Sequence, residues 1–235
     1  MKILHVFALA AIAFAPTTVV AQSPGSAEDI QFRSIDFENQ ILELHNFGSD
    51  SLDLDGWRFC THDVSDGFDY TSATGLNGFS LEAGESLRVH WNDDASGDDA
   101  INISSLGGRW IDDLSVNGSG DGISLNLYRD SSFGNADSIV DHIQYSLDGS
   151  NVGGQSNPRG AVAVNGELWG STADWISVSE ESTSLVLEDE PFPLDSGATH
   201  TSSSYAVNVS AVPEPSSLIA LCLGVFGIAS RRRRS

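Results

Sequence analysis

Three short stretches, "QILELHNF", "SLRVHW" and "GISLNLYRD", alternate apolar and polar residues with a period of two. A backbone whose side chains point in turn to opposite faces converts that pattern into a strand with one buried and one wet side. In the first, Leu42 and Leu44 oppose Glu43 and His45; in the second, Leu87, Val89 and Trp91 oppose Arg88 and His90. In the third, Ile123, Leu125 and Leu127 are expected inward, and Ser124, Asn126 and Tyr128 outward. Gly, Asn, Asp and Ser turns separate the runs, and no 3.6-residue periodicity of helix length interrupts them. One dry and one wet face per strand fits antiparallel sheets packed as a β-sandwich, not a parallel sheet sheathed in helices. The expected fold class is all-β.

Both ends of the chain fall outside this pattern. Residues 1–21 have a basic Lys2, an apolar run from Ile3 to Phe14 and small residues before Gln22, the layout of an export signal cleaved between Ala21 and Gln22. At the other end, Pro213 and Pro215 lack amide donors and hold the backbone extended, so a helix can begin only after them. The uncharged run Leu218–Ala229 would reach about 18 Å as a helix, against about 30 Å for a hydrocarbon core. A short transmembrane segment over 217–230 is expected, marginal as a permanent anchor. Arg231, Arg232, Arg233 and Arg234 fix its cytoplasmic side and leave the body outside.

"VPEPSSLIALCLGVFGIASRRRRS", residues 212–235, resembles the PEP-CTERM sorting signal of Gram-negative bacteria: a Pro-Glu-Pro tripeptide, an apolar run and an arginine cluster, in that order. The resemblance implies that an exosortase, a membrane-embedded cysteine peptidase, reads Pro213, Glu214 and Pro215. It would remove the tail after transient anchoring at the inner membrane and deliver the body to the cell surface or extracellular matrix. Export machinery and exosortase are the partners implied.

Between the ends lie about 190 residues, enough to bury a core without disulfides. Cys60 is alone there and is expected as a small buried apolar residue. Six arginines and no lysine face 32 acidic residues, a net charge of −26. Such a surface repels phosphate backbones, which excludes nucleic acid as a partner, and keeps a protein soluble in salty water.

"ILELHNFGSDSLDLDGWRF" resembles the opening of a lamin tail domain: a strand ending Glu-Leu-x-Asn, a Gly-containing turn, then Leu-Asp-Leu-x-Gly-Trp. "LEAGESLRV" and "DGISLNLYRDSSFGNADSIVDHIQY" resemble later landmarks of that family in the same order. The resemblance spans 28–147 and implies an immunoglobulin-like β-sandwich. Gly56 would permit a sharp turn, with Trp57 and Phe59 as core anchors on one face. Two stretches, 62–78 and 92–117, are longer and richer in acid than the family pattern. Residues 148–198 read as additional strands packed on the sandwich, with a hairpin around Asn165-Gly166 in "AVAVNGELWG", and 199–211 as a Ser/Thr-rich stalk.

Catalytic motifs are sparse. Ser156 in "GQSNP" lacks the second glycine of a nucleophile elbow, and His45, His62, His90, His142 and His200 lack metalloprotease spacing and are expected at the surface. Partial calcium ligand sets occur at Asp93, Asp94, Asp98 and Asp99, and at Asn117 and Asp121 in "NGSGDG", where Tyr128 stands in place of the closing glutamate. The reading is a non-enzymatic structural or interaction module. The second reading is a binding module for calcium or carbohydrate, exopolysaccharide included, with Trp110, Trp169 or Trp175 as stacking platforms unless they are core. The third is an extracellular hydrolase.

Overall fold

A computed structural model describes residues 26–64, 67–116, 122–147, 149, 157–188 and 199–210. The export signal with Ala21 and Gln22, the candidate ligands Asn117 and Asp121, Ser156, and the sorting tail with its apolar run 217–230 lie outside the described residues.

Two sheets carry the architecture. One has six strands in the order β13 (Tyr205–Val209), β12 (Ser182–Leu187), β1 (Ile30–Asp36), β2 (Ile41–Asn46), β7 (Ser86–His90) and β8 (Ala100–Asn102). The other has five: β11 (Ile176–Ser177), β10 (Ile139–Ser146), β9 (Gly122–Tyr128), β4 (Arg58–Asp63) and β5 (Gly67–Tyr70). A two-stranded ribbon pairs β3 (Leu52–Asp53) with β6 (Ser80–Leu81). All pairings are antiparallel except β7 with β8 and β10 with β11. The chain is mostly β, as the alternation requires.

The inward residues of the two sheets meet in one core. Phe32 of β1 and Phe59 of β4 stack with centroids 6.4 Å apart, and Phe59 meets Trp91 edge-on at 6.4 Å. Leu42, Leu44, Val89, Leu125 and Leu127 are fully buried beside them. Gly56 adopts φ +82, a left-handed turn that a β-carbon would strain, and delivers Trp57 and Phe59 to the core. The terminal Asn46 of β2 is buried and donates to the carbonyls of Asp50 and Leu81, tying the following turn to β6.

Two expectations change. Residues 158–165 form not half of a hairpin but α1 (Pro158–Asn165), capped by Asn157, whose side chain accepts from the Arg159 amide at 3.0 Å. A proline in the first helical turn and an Asx cap set a helix start, and here they override the Asn-Gly turn propensity. Residues 199–210 are not a stalk: His200 bridges to Trp169, a 3₁₀ turn spans Ser202–Ser204, and β13 pairs with β12. Residues after 147 are part of the same fold: β12 lies hydrogen-bonded beside β1 near the middle of its sheet. The long acid-rich stretches contribute β5 and β8, and Ile103, Leu106, Ile111, Leu114 and Val116 join the core.

Candidate functional site

Polar chemistry concentrates on the outer face of the five-stranded sheet, and that face is covered. Every residue of β9 and β10 is buried, so Ser124, Asn126 and Tyr128 point away from the sandwich core without reaching water. The covering comes from α1 and the segment after it. His142 Nδ1 lies 2.7 Å from Asn126 Oδ1 and its Nε2 lies 3.2 Å from Gln144 Oε1. Gln144 donates to the Asp174 carbonyl at 2.7 Å, and Asn157 donates to Gln144 Oε1 at 3.2 Å. The Trp169 ring closes over His142 edge-on at 5.3 Å.

Burial dictates the protonation of this cluster. It lowers His142 to about 4 and His200 to about 4, and it also lowers His62. These three histidines, expected at the surface, are interior and neutral at pH 7; His45 and His90 are half-buried on the other sheet. Asp141 is buried where the two sheets meet and accepts from the Phe32 amide at 2.6 Å and the His142 amide at 2.7 Å. Burial still raises it to about 7, against the pull of those amides.

Towards β5 the same face carries cations. Arg159 donates to Tyr70 Oη at 2.8 Å and to the Phe133 carbonyl, and its guanidinium lies 5.0 Å from the Phe68 centroid and 5.7 Å from that of Phe133. Arg58 approaches the Phe133 ring at 5.0 Å and donates to the Thr71 carbonyl. Cys60 is fully buried, and burial pushes its thiol up to about 12 although Arg159 pulls it down. A thiol so held is a packing group, not a nucleophile.

Among the described residues, the candidate calcium ligands Asp93, Asp94, Asp98 and Asp99 have separate neighbours. Asp99 pairs with Arg88, Asp94 Oδ1 lies 2.6 Å from His90 Nδ1, and Asp93 accepts from the Ser104 amide at 3.2 Å. Asp98 is exposed beside them. Among the described residues no group of three or more His, Cys, Asp or Glu gathers as a metal site. Trp169 and Trp175 are core, 1% and 3% exposed, and offer no stacking platform; Trp110 is half-buried against the core. Packing of Trp169 and Trp175 depends on α1 and the segment after it, which lie as many as 89 residues from the strands they cover.

The outer face of the six-stranded sheet is open and charged. Arg33, Ser34, Glu43, Ser86, Arg88, Asp99 and Val186 line a shallow groove of about 510 Å³. Glu43 accepts from Ser34 at 3.0 Å and Ser86 at 2.6 Å and lies 3.6 Å from Arg33. Past this face, β13 leads out of the fold: the Ser210 amide donates to the Glu181 carbonyl at 3.0 Å, and Pro213 follows three residues later.

A family model described as the PEP-CTERM protein-sorting motif matches residues 211–234. The chain ends in a PEP-CTERM sorting motif. Such a motif marks an exported protein that an exosortase sorts toward the cell surface, with Pro213, Glu214, Pro215 and Arg231 to Arg234 inside the matched span. Among the described residues no helix is long and apolar enough to cross a membrane. A solved structure, that of a DUF4876 family protein from Bacteroides thetaiotaomicron VPI-5482, is similar at TM-score 0.47 and 13% identity, covering 80% of this chain and 73% of that one. No curated protein matches the sequence.

Proposed function

We propose that this chain is a non-enzymatic structural or interaction module of the cell surface or extracellular matrix, delivered there by exosortase processing. The observation that carries the reading is the PEP-CTERM motif at residues 211–234. The body is taken as a lamin-tail-like, immunoglobulin-like sandwich, supported by the Gly56 turn that feeds Trp57 and Phe59 into the core between two sheets. The non-enzymatic part draws support from how the titratable groups are used. His142, Asp141 and Cys60 are buried among hydrogen-bond or packing partners, where they serve the fold.

Mass spectrometry of the protein recovered from the cell surface tests the processing step. The expected product lacks Arg231 to Arg234, and an intact arginine tail on surface-located protein would overturn it. Substituting Pro213 and Pro215 with alanine is expected to leave the tail in place and the protein at the inner membrane.

A further inference from the structure

We propose that the free edge of β13 is a self-association surface, where two copies of this chain pair antiparallel about a two-fold axis and join their six-stranded sheets into one. This deepens the interaction-module reading by naming the partner, and it rests on that reading for its setting outside the cell.

Edges of sheets expose unpaired backbone groups, and proteins blunt them with short strands, charge or covering segments. Three of the four edges of the two large sheets are blunted. The β8 edge is three residues long beside Asp98 and Asp99, and β11 has two residues. On β5, Asp69 pairs with Arg109 at 3.1 Å, and Gly108 bridges to Thr71 just beyond the strand. Among the described residues, the fourth edge has none of these devices. β13 is five residues, Tyr-Ala-Val-Asn-Val, without charge or proline, and Val209 is 58% exposed, the one large apolar side chain so placed among the described residues.

The backbone groups point the right way. The Ser204 carbonyl and the Ser210 amide bond to the β12 side, so by strand alternation the amides and carbonyls of Val207 and Val209 and the carbonyl of Tyr205 face the open edge, while the Tyr205 amide donates to the Ser202 carbonyl. Charge selects a second copy. Residues 199–210 contain no Asp, Glu, Lys or Arg in a body of net charge −26, so two acidic molecules can approach here with least repulsion. Glu180 and Glu181 sit at the C-terminal end of β13. Antiparallel pairing moves the two such pairs apart by the length of the strand, about 17 Å, beyond a Debye length of about 8 Å at physiological salt. A strand edge paired with itself about a two-fold axis is also self-complementary by construction.

Sedimentation equilibrium of the processed protein, with Val207→Pro and Val209→Asp variants, tests this. Proline at 207 removes an edge-facing amide without breaking the β12 ladder, and aspartate at 209 leaves the backbone intact while adding charge. The wild type is expected to dimerise at concentrations on the order of 100 μM or below, and each variant to weaken dimerisation at least about tenfold at unchanged melting temperature. A monomeric wild type, or a dimer that both variants leave intact, would overturn the proposal; if the proline variant unfolds, Val209→Asp decides. The mass of the C-terminus in the same sample reports processing separately, so failure of the dimer and failure of the sorting reading are distinct results.

Discussion

The outer faces of the two sheets carry polar residues in the same alternating pattern and meet opposite fates. On the six-stranded sheet the outward side chains include Arg33, Glu43 and Arg88, and that face is open to solvent. On the five-stranded sheet they include Ser124, Asn126, His142 and Gln144, and that face lies beneath α1 and Trp169. Charged groups lose their hydration on burial at high cost, so Arg58 and Arg159 on the covered side stay only half-buried, whereas neutral amides and imidazoles can be fully hydrogen-bonded inside. Alternation therefore identifies which residues leave the core, and the kind of polar residue tells whether they reach water.

Removing the cover should expose this difference most. Trp169 is 1% exposed and donates its indole N–H to the Asp174 carbonyl at 2.9 Å, so Trp169→Ala is expected to cost about 3–5 kcal/mol in chemical denaturation. A loss below about 1 kcal/mol would mean that the segment lies loosely on the sheet and that the two faces are more alike than the packing implies.

Acid acts on the same covered face. His142 and His200, lowered to about 4, stay neutral in the fold while the unfolded chain takes up protons below about 6.5. Their contribution is complete above that pH and is lost as pH falls toward 4. Asp141 runs the other way: raised to about 7, it holds a proton in the fold that the unfolded chain releases above about 3.9, so it favours the fold as pH drops below 7. Two histidines against one carboxyl leave about one net proton, a loss of roughly 2 kcal/mol between pH 6.5 and 4.5, and the lowered His62 adds to it in the same direction. Melting temperatures across that range should fall, and His142→Gln should flatten the slope.

Much of this was legible in the residues, for reasons that differ by region. The strands at 41–46, 86–90 and 122–128 follow from alternation, and the Gly56 turn from the need for a positive φ before a buried Trp. The sorting tail was legible because its chemistry is local: proline, an apolar run and arginines act in sequence order. What escaped is non-local. Asn126 looks like any outward polar residue until α1, encoded more than 30 positions later, is laid over it. The misread helix had its own signal in Asn157-Pro158, a cap followed by a fixed φ, and β13 had one in Tyr205, Val207 and Val209 alternating within a Ser-rich stretch.

Within the covered network, Asn126 donates to the Cys60 carbonyl at 2.8 Å and meets His142 at 2.7 Å. Asn126→Ala strands both partners and is expected to cost about 1–3 kcal/mol, less than the tryptophan because little apolar surface is lost.

The mirror experiment on the open face should do almost nothing. Arg33 is 45% exposed and sits 3.6 Å from Glu43, which already accepts from Ser34 and Ser86. Solvent screens the pair and the two hydroxyls hold the carboxylate without it, so Arg33→Ala is expected to change stability by no more than about 0.5 kcal/mol. A loss as large as that of Asn126→Ala would show this face to be as tightly organised as the covered one. The distinction would then rest on geometry alone, with charge no longer separating a wet sheet face from one destined for a lid.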